Sequence, residues 1–286
     1  MISSKLSETS LNKQRCFCSM ETDNIYNQDC LVGLRNVAAE SIDLVVTDCP
    51  YRIVGGGSGN SDHEPSGILN KQREYITKGN VTYKKGTKHI NLCGVFDDRA
   101  DDVRAGKLFA HNDIAFSEWL PDVYRVLKQG THCYIMVNAR NLKELQTEAE
   151  KVGFIFQNLL VWRKQNATPN KYYMNQLEFI LMLRKGAAKN VNDMGMSNCL
   201  TCPNIMGKSG KGCHPTAKPV ALMETLIRQS SNVGDIVLDP FAGGGSTLIA
   251  AKRLERHYIG FEIDKQYYDI AYNRLYREPQ QTTMFN

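Results

Sequence analysis

The sequence predicts an α/β protein built on a mostly parallel sheet, and three observations support this. Apolar segments of strand length alternate with segments of helical character. No period of about 20 to 50 residues repeats along the chain, which argues against solenoids and propellers. Two predicted strands end in carboxylates followed by turn-forming residues, the position where open α/β sheets usually bind ligands.

The predicted elements follow the chain in order. Ile42–Thr47 is apolar and rich in β-branched residues, which is typical of a buried parallel strand. The other predicted strands are one around Ile25 and the segments His132–Val137, Phe154–Trp162, Leu177–Leu183, Ile236–Leu238 and Tyr258–Glu262. The predicted helices are Leu31–Ala39, Ile114–Lys128, Leu142–Val152, Val220–Ser230, Ser246–Arg256 and Gln266–Tyr276.

Composition excludes several classes of protein. The 286 residues are 42% hydrophobic, 23% charged and 9% aromatic, which indicates a globular chain rather than collagen, coiled coil or wholesale disorder. No apolar run approaches the roughly 18 residues that a membrane-spanning helix needs. The nine cysteines are scattered and odd in number, which favours free thiols in a reducing compartment. We therefore expect a cytoplasmic protein without membrane contact.

The chain is predicted to hold one main domain, residues 23–276, between an N-terminal extension, residues 1–22, and a C-terminal tail, residues 277–286. Residues 1–22 lack the apolar centre of a secretory signal. Two long segments, residues 52–112 and 186–213, interrupt the domain, and loops of this length are usually functional or disordered. The first contains a basic run, Lys71–Lys88, in a chain of net charge +5. The basic and aromatic residues of this run suit contact with DNA, and the alternative interpretation is a solvated loop.

A glycine-rich turn follows the strand that ends at Asp239. It consists of Asp239, Pro240, Phe241, Ala242, Gly243, Gly244, Gly245, Ser246 and Thr247, and Glu262 ends the next strand. This is the outline of a βαβ nucleotide site, where glycines admit a ligand closely and the second carboxylate accepts hydrogen bonds from a ribose. Asp239 would repel a pyrophosphate, so S-adenosylmethionine, with its amino group and sulfonium, is favoured over NAD. The alternative is a structural glycine turn.

A second turn, Asp48-Cys49-Pro50-Tyr51, follows the strand Ile42–Thr47. An exocyclic base amine is a poor nucleophile because its lone pair is delocalised. The Asp48 carboxylate and the Cys49 carbonyl could accept its two hydrogens and stabilise the charge that develops on nitrogen. Pro50 favours an extended Cys49, which fixes the direction of that carbonyl, and Tyr51 could stack on the base. Taken alone, the tetrapeptide is better explained by an ordinary turn, and only the glycine-rich turn changes this.

Together the two motifs resemble those of the amino-group DNA methyltransferases, which methylate adenine N6 or cytosine N4, in the β-type order with the catalytic motif first. The resemblance extends over residues 23–51, 109–185 and 213–276. The segment from His214 to Pro219 is similar to the HPTxKP segment of the family, near the methionine end of the cofactor. Asp29 resembles the acidic residue that meets the cofactor adenine. Cofactor contacts are thereby implied for Asp29, Asp48, His214, Thr216, Lys218, Asp239, Pro240, Phe241, Gly243, Ser246, Thr247 and Glu262.

The resemblance implies a Rossmann-like class I methyltransferase sheet with one antiparallel strand, supplied by the hairpin Phe154–Leu183 and circularly ordered with the catalytic half first. The family usually has proline where Cys49 stands, and a main-chain contact should tolerate this change. An acidic Asp48 is more typical of adenine N6 enzymes than of cytosine N4 enzymes. The implied partner is double-stranded DNA, contacted by residues 52–112 and 186–213, and a cognate restriction endonuclease is left open.

Two weaker patterns have simple alternatives. Cys199, Cys202 and Cys213 show spacing found in zinc sites, but His214 already belongs to the HPTxKP-like segment, so free thiols and no metal are expected. Gln281–Phe285 resembles the Gln-x-x-Leu/Met-Phe peptides that bacterial sliding clamps bind, and a frayed tail is the alternative.

The sequence thus predicts a site-specific DNA adenine N6 methyltransferase that extrudes its target base and transfers the methyl group by direct displacement. Cytosine N4 methylation is the first alternative. Methylation of RNA or of a protein amide is another, although such enzymes generally place the cofactor motif first. A non-catalytic DNA-binding module would leave the Asp48 carboxylate without a purpose.

Overall fold

The computed structural model describes residues 20–50, 75–78, 81–84, 114–168, 173–187, 189–203 and 217–276. The strands in these ranges are β1 (Asn24–Asn27), β2 (Ile42–Asp48), β3 (Tyr75–Lys78), β4 (Val81–Lys84), β5 (Leu127–Val137), β6 (Ile155–Thr168), β7 (Asn175–Arg184), β8 (Cys199–Thr201), β9 (Ile236–Asp239) and β10 (His257–Glu262). The helices are α1 (Cys30–Asn36), α2 (Phe116–Val126), α3 (Leu142–Val152), α4 (Val220–Ser230), α5 (Ser246–Arg253) and α6 (Lys265–Tyr276).

Eight strands form one sheet in the order β1-β10-β9-β2-β5-β7-β6-β8. The first five strands in this order, which are β1, β10, β9, β2 and β5, pair in parallel with one another. Strand β8 also pairs in parallel, with β6. Strand β7 pairs antiparallel with both of its neighbours, β5 and β6. This confirms the predicted mostly parallel α/β sheet and its antiparallel strand within the hairpin that starts after Phe154.

Helices cover both faces of the sheet, which explains why its central strands are apolar on both sides. On one face α1, α2 and α3 pack through buried residues such as Leu34, Trp119 and Leu145. On the other face α4, α5 and α6 pack through residues such as Leu226 and Leu248. Side chains alternate along β2, so Val45 belongs to the first layer and Val46 to the second.

Several helix boundaries differ from the sequence prediction. The predicted helix Ile114–Lys128 is shorter, because Leu127 and Lys128 already belong to β5. Helix α5 ends at Arg253 rather than Arg256, and Glu255 has a left-handed φ of 61° that a continuing helix does not allow. Helix α1 ends at Asn36 rather than Ala39. In contrast, α3 and α4 have the predicted bounds.

Three strands were not predicted. Cys199–Thr201, within the expected insertion 186–213, forms β8 at the edge of the sheet. Within the basic run, the backbone of β3 pairs antiparallel with that of β4. The rest of the expected insertion 52–112, most of the extension 1–22 and the tail 277–286 lie outside the described residues. Within the described ranges, no helix is long and apolar enough to cross a membrane.

Candidate active site

Four carboxylates lie near the same edge of the sheet. Strands β1, β10, β9 and β2 are successive neighbours and run in parallel, so their carboxyl ends share that edge. Glu262, Asp239 and Asp48 are the last residues of β10, β9 and β2. Asp29 follows the end of β1 by two residues. The topology therefore brings together residues that are far apart in sequence.

A buried hydrogen bond joins the two predicted motifs directly. The hydroxyl of Thr47, next to Asp48, donates to Oδ1 of Asp239 over 2.7 Å. Both side chains are buried, with Thr47 fully inaccessible to solvent. Burial raises the pKa of Asp239 to about 6, although the hydroxyls of Thr47 and Thr247 and the Phe241 N–H stabilise the charged form. Sequence analysis missed Thr47, whose only signal is its place beside Asp48.

The glycine turn forms a cradle between β9 and α5. Gly243 and Gly245 have left-handed φ angles of 49° and 77°, which favour glycine. A Cβ on Gly245 would also lie 3.0 Å from the Cβ of Ala271. The Gly243 N–H donates to Oε2 of Glu262 over 2.8 Å, which links the turn to the end of β10. These contacts fix the turn against the next strand.

Two polar groups at this turn are available to a ligand. Among the described residues, the buried hydroxyl of Ser246 has no hydrogen-bond partner, and such a group is costly to leave unsatisfied. The Glu262 carboxylate accepts from the N–H groups of Gly243 and Asp264 and retains further acceptor capacity. Burial raises the pKa of Glu262. The turn can thus supply both a hydroxyl and a carboxylate to a bound molecule.

Two other predicted residues have structural contacts. Asp29 caps α1, where its Oδ1 accepts from the Leu31 N–H over 2.7 Å, so one carboxylate oxygen is engaged. The ring of Phe241 packs edge-on against Trp119, with centroids 5.2 Å apart. Both residues follow strands that end at the edge carrying Glu262 and Asp239, since Asp29 comes after β1 and Phe241 after β9.

The turn after β2 places Asp48 beside a lysine. Lys218, just before α4, makes a close ion pair with Oδ2 of Asp48. Burial raises the pKa of Asp48, and the Lys218 ammonium opposes that rise. The thiol of Cys49 is buried and donates to the Met136 carbonyl over 3.6 Å. Burial raises the pKa of Cys49 well above its ordinary value, so this thiol stays protonated.

Two further charged residues extend this ion pair. Oε2 of Glu178, on β7, lies 3.7 Å from the Lys218 ammonium, and the Lys164 ammonium on β6 contacts Oε1 of the same carboxylate. Sequence analysis missed both residues. The sequence does contain a signal for Glu178, because it is the single carboxylate in the otherwise apolar segment from Leu177 to Leu183.

The structure does not describe every predicted residue. Tyr51, His214, Thr216 and Cys213 lie outside the described residues. Cys199 and Cys202 are free cysteines, the first exposed and the second partly buried. Within the described ranges, no three His, Cys, Asp or Glu side chains are grouped as metal ligands would be.

The sequence model of the DNA methylase family matches residues 42–273, which is most of the chain. The chain therefore belongs to the N6/N4 DNA methylase family, and it is a DNA methyltransferase. Its sequence is 28% identical over 270 residues to the type II methyltransferase M2.DpnII of Streptococcus pneumoniae, covering 89% of this chain and 90% of that protein.

Solved structures share the fold. The chain resembles the M1.HpyAVI–SAM complex with a TM-score of 0.57 and 24% identity, covering 88% of this chain and 98% of that one. It also resembles the cytosine-N4-specific PvuII DNA methyltransferase with a TM-score of 0.61 and 16% identity, covering 92% of this chain and 89% of that one. These likenesses confirm the class I methyltransferase fold that the sequence predicted.

Proposed function

We propose that the protein transfers a methyl group from S-adenosylmethionine to adenine N6 at specific sites in double-stranded DNA. The observation that supports this most is the Thr47–Asp239 hydrogen bond, because it joins the strand end that carries the Asp48 turn to the strand end that carries the glycine turn. Residues 192 positions apart thus meet at one edge of the sheet, where a methyl donor and an acceptor amine could be held together.

The residues of the glycine turn fit the proposed cofactor. The Ser246 hydroxyl, which has no hydrogen-bond partner among the residues that the structure describes, and the acceptor oxygens of Glu262 suit a polar nucleoside. The Asp239 carboxylate suits a cationic ligand. S-adenosylmethionine would supply an electrophilic methyl group here. We assign its binding to this turn from Asp239 to Thr247, to Glu262 and to Asp29, with contributions from His214 and Thr216 that follow from the family resemblance. A fold neighbour described as a SAM complex supports this assignment.

The Asp48 turn is proposed to hold the target amine. Asp48 accepts one amine hydrogen and the Cys49 carbonyl accepts the other, which concentrates the nitrogen lone pair and stabilises the charge that arrives with the methyl group. Pro50 directs that carbonyl, and Tyr51 stacks on the extruded base, which offsets part of the few kcal/mol that extrusion costs. The buried, protonated Cys49 thiol contacts a backbone carbonyl and takes no part in this chemistry.

Adenine is favoured over cytosine as the target base. The acidic Asp48 resembles the first motif residue of adenine N6 enzymes, in which a carboxylate accepts the amine hydrogen. Cytosine N4 is the second candidate, because the fold also resembles that of a methyltransferase described as cytosine-N4-specific. Both bases present an exocyclic amine beside a ring nitrogen acceptor, so the same turn suits either.

The test is methylation of DNA by the purified protein with methyl-labelled S-adenosylmethionine. Genomic DNA is then digested to nucleosides and the labelled product is identified, while single-molecule sequencing of modified bases maps the site. We expect N6-methyladenine at one short sequence. Labelled N4-methylcytosine would move the assignment to the second candidate, and an absence of label in DNA would refute the proposed function.

Two further partners are proposed from the sequence. Gln281–Phe285 lies outside the described residues and resembles a peptide that binds sliding clamps. Retention on immobilised clamp should be lost in Phe285→Ala, and equal retention of both proteins would end this proposal. A cognate restriction endonuclease is proposed because the matched relative is a type II methyltransferase. Methylation should protect the mapped site from that nuclease, and cleavage of fully methylated sites would refute the pairing.

A further inference from the structure

Four charged side chains form a cluster at the start of the Asp48 turn, with Lys218 buried and the other three partly buried. Lys218 lies between two carboxylates, in close contact with Oδ2 of Asp48 and 3.7 Å from Oε2 of Glu178. Lys164 contacts Glu178 from the other side. The Lys218 side chain is only 10% exposed, so this charge is held in place rather than moving freely in solvent.

The sheet explains how these residues meet. Asp48 lies opposite Met136 on β5, and Met136 lies opposite Ile180 on β7. Glu178 is two residues before Ile180 and therefore projects from the same face, and this is the face that α4 covers. Lys218 lies two residues before Val220, the first residue of that helix, so its side chain enters the cluster from the covering layer.

The cluster places a hydrogen-bond donor beside a hydrogen-bond acceptor. A lysine ammonium has three N–H donors. Among the described residues, Lys218 uses one of them, in its hydrogen bond to Asp48, because 3.7 Å to Glu178 is an ion-pair distance rather than a hydrogen-bond distance. Burial alone would lower the pKa of Lys218, but Asp48 and Glu178 together raise it, so the ammonium remains a donor. Within the part of the chain that the structure describes, Lys218 hydrogen-bonds only Oδ2 of Asp48, so Oδ1 can serve as an acceptor.

We propose that Lys218 recognises the target base by donating a hydrogen bond to the ring nitrogen next to the amine that Asp48 holds. This inference rests on the proposed function and assigns Lys218 to the base, whereas the family resemblance assigned it to the cofactor. Adenine presents the amine N6 beside the acceptor N1, and cytosine presents N4 beside N3. Guanine and thymine carry a carbonyl beside a ring N–H instead. The carbonyl would face the Asp48 carboxylate, so that two acceptors meet, and the ring N–H would face the Lys218 ammonium, so that two donors meet. The Asp48–Lys218 pair thus selects bases that carry an exocyclic amine beside a ring nitrogen acceptor. Glu178, which is itself paired with Lys164, holds the Lys218 ammonium in position.

The test uses duplexes that carry the mapped methylation site with one altered target base. 1-Deazaadenine replaces N1 with C–H and keeps the amine, whereas 7-deazaadenine keeps N1 and is the matched control. We expect kcat/KM of the wild-type protein to be at least about tenfold lower for 1-deazaadenine than for 7-deazaadenine, since a buried charged donor is left unpaired. In Lys218→Met the two analogues should be used within about twofold of each other.

The outcomes separate this inference from the proposed function. If unmodified DNA is methylated but the wild-type protein uses both analogues equally well, Lys218 does not contact the ring nitrogen. Retention of the full wild-type ratio in Lys218→Met would overturn the inference as well. If the variant transfers no methyl group, its equilibrium affinities for the two duplexes with a non-reactive cofactor analogue give the same comparison. Were cytosine the methylated base, 3-deazacytosine against cytosine would take the place of the adenine pair. Failure of the wild-type protein to methylate any DNA would instead refute the proposed function.

Discussion

The hydrogen bond between Thr47 and Asp239 can be tested by replacing Thr47 with valine, which has the same shape but no hydroxyl. The bond is 2.7 Å long and fully buried, so water cannot replace the lost donor. The cost depends on the charge of Asp239. A hydrogen bond to an ionised group contributes roughly 1.5–3 kcal/mol, and one between neutral groups roughly 0.5–1.5 kcal/mol.

The pH dependence follows from the pKa of Asp239. Burial raises this pKa from 3.8 to about 6, so between these values the folded protein binds more protons than the unfolded chain, and the Asp239 contribution to stability falls as pH rises. Above pH 6 the carboxylate is ionised in both states and its contribution is constant. Loss of the Thr47 donor raises the folded-state pKa further. The Thr47→Val penalty should therefore be about 1.5–3 kcal/mol at pH 8 and smaller, about 0.5–1.5 kcal/mol, at pH 5.

The assay is urea unfolding of the wild-type protein and Thr47→Val at both pH values, with Thr47→Ser as the control that keeps a hydroxyl. Other titrating groups are common to both proteins and cancel in the difference. Equal penalties at pH 5 and pH 8 would show that Thr47 does not stabilise the charged form of Asp239. A negligible penalty at pH 8 would show that the two motifs are not joined as described.

Three other predictions concern the site and its supports. Asp48→Ala, which removes the acceptor oxygens, should retain S-adenosylmethionine binding measurable by calorimetry but lower the rate of labelled-methyl transfer by about a hundredfold or more. Undiminished transfer would refute the role of Asp48. Glu262→Gln should weaken S-adenosylmethionine binding roughly tenfold or more, because contacts to the ribose are lost. The control Glu255→Gln changes an exposed residue and should bind S-adenosylmethionine normally. Equal affinities of the two variants would contradict the assignment of Glu262 to the ribose. Gly33→Ala should lower the free energy of unfolding by about 1–3 kcal/mol, because the added Cβ would lie 2.5 Å from the Phe261 ring. This cost should exceed the gain from the better helix propensity of alanine. Urea unfolding measures the difference, and a stabilised variant would show that this packing is loose.

Local patterns were sufficient to predict most elements of the fold. Helices α3 and α4 have the predicted bounds, because Gly153, with a φ of 115°, ends the first and Pro219 precedes the second. The boundary between α2 and β5 was misplaced because the chain passes from helix to strand at Leu127 without a turn residue. Strand β8 is three residues long and exists through its pairing with β6, a contact that has no local signal.

The site was only partly predictable, for a physical reason. Asp48 and Asp239 could be placed at strand ends from the apolar runs before them and the turn residues after them. That the two strands are neighbours became visible only in the sheet, where Thr47 connects them. The contact of Lys218 with Asp48 depends on how α4 packs over β2 and β5, and this depends on the whole layer rather than on any motif.

The central claim is that the Asp48 turn and the glycine turn share one cleft. A crystal structure of the protein with S-adenosylmethionine tests it most directly. We predict that the ribose hydroxyls contact Glu262, that the adenosyl group lies along the turn from Asp239 to Ser246, and that the methyl carbon faces Asp48. A ligand bound elsewhere, or one whose methyl carbon points away from Asp48 with the sheet between them, would show that the two turns do not share a cleft.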